Sequence, residues 1–262
     1  MISFTQAQIN EWLTAFIWPL VRILTLVATA PVLGNTIVPV RVKIGLAVGI
    51  TLLVSPVLGP MPQIEPGSIP GLFIIAQQIA IGAAMGLAMQ IVFVAVEMAG
   101  DITGLQMGLG FATFYDPNSG GSTAVIAQYM NLVATLVFLA VNGHLLMIST
   151  LVDSFSAFPI GGQPMHAAGW LTPVYWGERI FFAGLLLSLP MLGALLITNM
   201  ALGILTRAAP QLNIFAVGFP ITLTVGMGVL ALSLPYFIPV LDHLMRDGFE
   251  IMLKIAKLLG NP

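Results

Sequence analysis

Charged residues are so widely spaced along this chain that long stretches of it must lie in a membrane or against other protein. Four ranges contain no charged residue, namely 66–96, 117–152, 180–206 and 208–241. A helix needs about 20 apolar residues to cross a hydrocarbon core of ~30 Å. Each of these ranges holds at least one segment of that length, so the spacing predicts a minimum of four membrane-length helices.

Two earlier segments raise the prediction to about six apolar helical segments. One covers roughly 12–35, where it includes Arg22 and two prolines, and the other covers roughly 44–58 and is short. Lipid cannot satisfy the backbone groups of open strand edges, and the alternating pattern of a membrane β-barrel is absent from the sequence. The sequence therefore predicts an all-α membrane protein.

Prolines within the apolar segments predict irregular helices. Pro190 interrupts one segment, and Pro220, Pro235 and Pro239 interrupt or end the last one. Because proline removes a backbone hydrogen bond, the segments are expected to be either kinked helices or broken hairpins embedded in a larger assembly.

Glycines recur at a four-residue spacing that lets membrane helices approach one another closely. The sets are Gly45 with Gly49, Gly82 with Gly86, and Gly100 with Gly104 and Gly108. This pattern predicts tight helix packing at each of these places.

Composition argues against several classes of function. Charged residues make up 7% of the chain, against roughly 25% in soluble domains, and the net charge of −2 provides no basic surface for nucleic acid. The chain has no cysteine, and its three histidines are far apart with no carboxylate at metal-ligand spacing. We therefore predict no enzyme active site, no metal site, no cofactor and no nucleic-acid partner.

Glu97 and Asp101 are the carboxylates that stand out, because they lie one helical turn apart at the end of an uncharged stretch. Carboxylates near a membrane are costly and often mark a proton path or a paired interface. Solvation at the aqueous end of a helix explains them equally well, and the sequence leaves both interpretations open.

The segment 108–122, GLGFATFYDPNSGGS, combines aromatic residues with a turn and flexible glycines. Asp-Pro-Asn followed by glycines is strong turn chemistry. The pattern is typical of a mobile plug in a pore or of an interfacial loop with aromatic residues. The residues of interest are Gly110, Phe111, Phe114, Tyr115, Asp116, Pro117, Gly120 and Gly121.

A second distinctive segment, RAAPQLNIFAVGF, begins at Arg207. Pro210 disfavours a helical conformation at the residue before it, so a helix is expected to end near Arg207. Gln211 and Asn213 offer amide groups for contact with a neighbouring chain, although a short polar turn in a helical hairpin explains them as well.

Four long blocks resemble the flagellar biosynthetic protein FliR family, a subunit of the flagellar type III secretion export gate. They are APVLGNTIVPVRVKIGLAVG from Ala30, GLQMGLGFATFYDPNSGG from Gly104, NGHLLMISTLVDSF from Asn142 and NMALGILTRAAPQLNIFAVGFPITLTVG from Asn199. Together they occur in order along nearly the whole chain.

The resemblance implies a fold and partners that composition does not show. It implies that residues 1–175 are similar to a FliP subunit and residues 176–262 to a FliQ hairpin. It also implies assembly with FliP and FliQ and contact of the hairpin tip (Arg207, Pro210, Gln211 and Asn213) with the FlhB switch subunit. Segment 108–122 matches the family's plug.

The expected function is therefore that of a non-enzymatic export-gate subunit in the bacterial inner membrane at the flagellar basal body. Unfolded flagellar proteins would pass through a channel that the plug seals. The alternative is a stand-alone secondary transporter for a small solute, with Glu97 and Asp101 coupling transport to an ion.

Overall fold

The computed structural model describes residues 5–59, 61–110, 125–161, 163–211 and 213–260, and the regular structure within these ranges is helical. In chain order the helices are α1 (Gln6–Thr29), α2 (Val40–Val54), α3 (Ile69–Gln106), α4 (Val125–Ala140), α5 (Gly143–Ala157), α6 (Ala167–Trp176), α7 (Glu178–Ala208) and α8 (Ile214–Gly260). A short 3-10 helix, Ser55–Val57, follows α2. The prediction of an all-α fold is confirmed.

Five helical stretches of the described chain are long and apolar enough to cross a membrane. They are Glu11–Thr29, Val40–Val57, Ile69–Gln106, Gly169–Ala208 and Ala216–Gly260. Taking α4 and α5 together as one broken span gives six. The predicted number of apolar segments therefore agrees with the fold.

The helices continue through the prolines that lie within the apolar segments. Helix α7 continues through Pro190, and α8 continues through Pro220, Pro235 and Pro239. Of the two alternatives, helices that continue through these prolines are found, and breaks at them are not. Each proline removes one ladder hydrogen bond, and neighbouring groups in membrane helices compensate for this loss without ending the helix.

The described residues form two compact units. The first comprises Met1–Ile91, Asn142–Gly177 and Arg246–Pro262, and the second comprises Val92–Val141 and Glu178–Met245. Both α3 and α8 contribute to each unit. The predicted likeness of residues 1–175 to FliP and of residues 176–262 to FliQ stays a prediction. The division into compact units does not compare this chain with those subunits.

In the first unit, α1 packs closely against α3 at Gly82 and Gly86. A Cβ atom added to Gly82 would lie 2.6 Å from the carbonyl oxygen of Arg22, and one added to Gly86 would lie 2.9 Å from the Cβ of Thr29. Small residues at these two positions therefore allow the backbones to approach, as the spacing predicted.

The identical spacing at Gly45 and Gly49 in α2 has a different environment. A Cβ atom added to either residue would have no atom of the described chain within 4 Å. The prediction of tight packing within this chain is therefore wrong for this pair.

The second unit is held together by further close approaches. A Cβ on Gly100 would lie 2.7 Å from the backbone nitrogen of Ala127, which brings α3 against α4. The rings of Phe93 and Phe138 meet edge to face at 5.7 Å between centroids. Such pairs add to the stability given by burial alone.

Candidate gating site

Most of the predicted plug lies outside the described residues. Phe111, Phe114, Tyr115, Asp116, Pro117, Gly120 and Gly121 belong to this group. Gly110 is described and half-buried, and it lies at the point where the segment begins. The described residues therefore show how the chain enters the predicted plug.

Helix α3 ends at a glycine cap immediately before this segment. Gly108 has a φ of 89°, a left-handed conformation that glycine adopts at little cost. The backbone N–H of Leu109 donates to the oxygen of Gly104 at 3.0 Å, and that of Gly108 donates to Leu105 at 3.0 Å. These two bonds and the left-handed residue define a Schellman motif, which ends the helix and turns the chain away from its axis.

The last residue before this cap, Met107, is fully buried against α8. The hydroxyl of Thr222 lies 3.1 Å from the carbonyl oxygen of Met107 and 3.1 Å from that of Phe219, so its one proton is shared between α3 and its own helix. Gly226 leaves room for the methionine, because a Cβ there would lie 2.7 Å from Met107 Cγ and 3.0 Å from its sulfur. We call Met107, Thr222 and Gly226 together the Met107 contact.

Glu97 and Asp101 lie on one face of α3, one turn apart. Glu97 is half-buried and Asp101 is exposed, and Asp101 lies five residues before the helix ends at Gln106. Within the described ranges no group of three or more histidine, aspartate or glutamate side chains is arranged to hold a metal ion.

The predicted hairpin tip lies between α7 and α8. Helix α7 ends at Ala208, which confirms the end expected near Arg207. Asn213 caps α8, and its side-chain oxygen accepts a bond from the N–H of Ala216 at 3.4 Å. The four predicted tip residues, Arg207, Pro210, Gln211 and Asn213, are all exposed.

The first unit contains a buried cation whose partners the sequence did not reveal. Arg22 is completely buried, and its Nε donates to Gln78 Oε1 at 2.7 Å. Nη1 donates to the carbonyl and hydroxyl oxygens of Ser154 at 3.0 and 3.1 Å, and Nη2 donates to the carbonyl of Phe158 at 2.9 Å. The guanidinium also lies 4.3 Å from the centroid of the Phe155 ring.

This Arg22 cluster, comprising Arg22, Gln78, Ser154, Phe155 and Phe158, joins α1, α3 and α5. Two of the acceptors are carbonyls at the C-terminal end of α5, where the helix dipole is negative. The dipole and the ring face both stabilise a buried positive charge. Arg22, which lies within the first apolar segment, therefore has a structural role in holding these three helices together.

Comparison with known proteins gives the class first. The model of a family described as bacterial export proteins, family 1, matches residues 13–248. This match covers most of the chain, which therefore belongs to that family of bacterial export proteins.

Individual relatives narrow the class. The chain is 46% identical over 261 residues to the flagellar biosynthetic protein FliR of Pectobacterium carotovorum subsp. carotovorum, with 100% of both chains covered. It is 46% identical over 255 residues to FliR of Escherichia coli (strain K12), with 97% of both covered. FliR of Bacillus subtilis (strain 168) is 27% identical over 252 residues. The resemblance to FliR is confirmed, and the chain is a component of the flagellar export apparatus.

Proposed function

We propose that the chain is a non-enzymatic subunit of the flagellar type III export gate. It would lie in the bacterial inner membrane at the basal body. The observation that carries this proposal is the 46% identity to FliR proteins over the full length of the chain. The five membrane-length helical stretches support a place within the membrane.

The partners we propose are FliP, FliQ and FlhB. Residues 1–175 would take the place of a FliP subunit and residues 176–262 that of a FliQ hairpin. The tip residues Arg207, Pro210, Gln211 and Asn213 would contact FlhB. Their exposure supports this role, because a partner can reach all four without a rearrangement of the tip.

The mechanism we propose for sealing is steric. The side chains of Phe111, Phe114 and Tyr115 would fill the channel, while the turn at Asp116 and Pro117 would shape the segment. Gly110, Gly120 and Gly121 would act as hinges, letting the segment move aside when an unfolded flagellar protein passes. The glycine cap at Gly108 supports this mechanism, since it ends α3 just before the hinge.

The transporter hypothesis has less support. The family match extends over residues 13–248, and the relatives named above are flagellar biosynthetic proteins along their full length. Glu97 and Asp101 share a helix face, but this arrangement is equally typical of a solvated helix end.

Subunit membership is tested by co-expressing the tagged chain with FliP and FliQ, extracting in mild detergent and weighing the complex by native mass spectrometry. We expect one large species that contains all three chain types in fixed ratio. A lone monomer or homodimer under the same conditions would contradict the proposal and favour the transporter.

Sealing is tested by changing Phe111, Phe114 and Tyr115 together to alanine in that complex. We expect normal assembly and a closed-gate conductance well above the wild-type background in planar bilayers. The matched control changes three exposed aromatics, Tyr175, Phe181 and Tyr236, to alanine. Background conductance in an assembled triple variant of the segment would rule out the steric plug.

A further inference from the structure

The end of α3 is attached to α8 at a small and well-defined place in the second unit. Met107 is fully buried there, with its carbonyl oxygen bonded to the Thr222 hydroxyl and its side chain against Gly226. One residue later the chain adopts the left-handed conformation at Gly108 and leaves the helix. Any displacement of Met107 is therefore passed directly to the start of segment 108–122.

The fit at Gly226 is tight. A Cβ at this position would lie within 3.0 Å of three side-chain atoms of Met107, whereas real Cβ atoms do not approach so closely. Even alanine at position 226 would thus displace the methionine. Overpacking of this kind typically costs 1–3 kcal/mol in a well-packed site.

Neighbouring residues of α8 lack these features and provide matched controls. The hydroxyl of Thr224 donates to the carbonyl of Pro220 within its own helix. Gly228 has no atom of the described chain within 4 Å of an added Cβ. Of these four positions, 222 and 226 approach Met107, while the hydroxyl of Thr224 bonds within its own helix and Gly228 faces no described atom.

We propose that the Met107 contact positions the start of the plug in the closed gate, so that Met107, Thr222 and Gly226 are positioning residues for sealing. This inference rests on the proposed function of segment 108–122. It adds that the closed position is set by α8, the helix that begins at the hairpin tip, as well as by α3.

The test measures closed-gate conductance of the assembled complex with FliP and FliQ in planar bilayers. Gly226→Ala is expected to raise the conductance about tenfold, because overpacking displaces Met107. Thr222→Val is expected to raise it about fivefold, because it removes one hydrogen bond and keeps the branched shape. Gly228→Ala and Thr224→Val are expected to match the wild type.

A compensating change separates positioning from general destabilisation. In the double variant Met107→Ala with Gly226→Ala, the shortened side chain makes room for the new methyl group. We expect this double variant to leak less than Gly226→Ala alone. Thr222→Ser, which keeps the hydroxyl, should restore the seal that Thr222→Val loses.

An introduced disulfide reports on the contact itself, because the chain has no cysteine of its own. The pair Met107→Cys with Gly226→Cys should form a disulfide and hold the conductance at background. Reduction should then bring the conductance to the level of the double variant Met107→Ala with Gly226→Ala, in which two small side chains also replace the methionine and the glycine. The pair Met107→Cys with Gly228→Cys should not form the bond.

The outcomes separate this inference from the function on which it rests. If the Phe111, Phe114 and Tyr115 variant leaks while Gly226→Ala does not differ from Gly228→Ala, the plug stands and the Met107 contact does not position it. If the triple variant itself does not leak, the proposed function fails and this inference fails with it. Leaks from both, with compensation by Met107→Ala, would support the inference.

Discussion

Helix α3 is held at two places by opposite kinds of chemistry. In the first unit, the Arg22 cluster fastens it with a fully buried guanidinium that donates four hydrogen bonds to Gln78, Ser154 and Phe158. In the second unit, the Met107 contact holds its end with one hydrogen bond from Thr222 and a fit against Gly226. The two places differ in how much is lost when a single group is removed.

This difference indicates which of the two contacts of α3 is expected to break more easily. Breaking a buried, charge-assisted network leaves several polar groups unpaired in an apolar interior, which is expensive. Moving Met107 away from Thr222 and Gly226 costs one hydrogen bond and some van der Waals contact. The Arg22 cluster thus suits a fixed frame, and the Met107 contact suits a part that changes position.

The largest effect on stability should follow from Arg22→Met, which disrupts the Arg22 cluster. This change leaves the acceptors on Gln78, Ser154 and Phe158 without their donor, so unfolding should become easier by about 3 kcal/mol or more. The thermal unfolding midpoint of the full chain in mild detergent measures this. Arg41→Met, at an exposed site, is the control and should change stability by less than ~0.5 kcal/mol. Equal midpoints for the two variants would contradict the structural role of Arg22.

A smaller effect should follow from changing the glycines that pack α3 on α1. Gly82→Ala puts a methyl group 2.6 Å from the backbone oxygen of Arg22, which cannot move aside as a side chain can. We expect a loss of about 1–3 kcal/mol in the same melting experiment. Gly49→Ala has the same helical spacing but meets no atom of the described residues within 4 Å, so it should be neutral or slightly stabilising. A loss at position 49 as large as at position 82 would show that spacing and not packing decides the cost.

The smallest effect on stability should come from Gly108→Ala, at the glycine cap that directly follows Met107. An alanine in the left-handed conformation costs about 1–2 kcal/mol, and the strain should be relieved by fraying the last turn of α3. Hydrogen exchange should therefore quicken at the N–H groups of Gly104 to Leu109, with little shift in the melting midpoint. Gly108→Asn, which tolerates this conformation better, should keep more of the protection. A large fall in the midpoint would mean that the end of α3 belongs to the fixed frame after all.

Much of the fold follows from the sequence because hydropathy acts locally. The uncharged ranges 66–96, 180–206 and 208–241 predicted three of the membrane-length helical stretches, whereas 117–152 holds the bent pair α4 and α5, neither of which is long enough alone. Pro210 predicted the end of α7 within one or two residues. Glycine at 108 already belonged to the predicted plug segment, and a helix end with glycine in the left-handed conformation is a common pattern. Such features depend on neighbours in the chain.

The features that escaped prediction depend on residues far apart in the chain. Arg22 finds Gln78 and Ser154, which are separated from it by 56 and 132 positions, so its apolar surroundings gave no sign of a partner. Gly49 and Gly82 have the same spacing pattern, yet an added Cβ at Gly49 would meet no described atom, while one at Gly82 would meet the backbone oxygen of Arg22. Met107 is one apolar residue among many, and nothing local distinguishes it before Thr222 and Gly226 are known to face it.

The length of α8 has a consequence of its own. Its 47 residues make a contour of about 70 Å, more than twice the ~30 Å of hydrocarbon in a bilayer. The charged and histidine residues of this helix all lie beyond Pro239, from Asp242 to Lys257. Lipid can therefore surround the part of α8 before Pro239, while the charged part from Asp242 to Lys257 needs water or other protein around it.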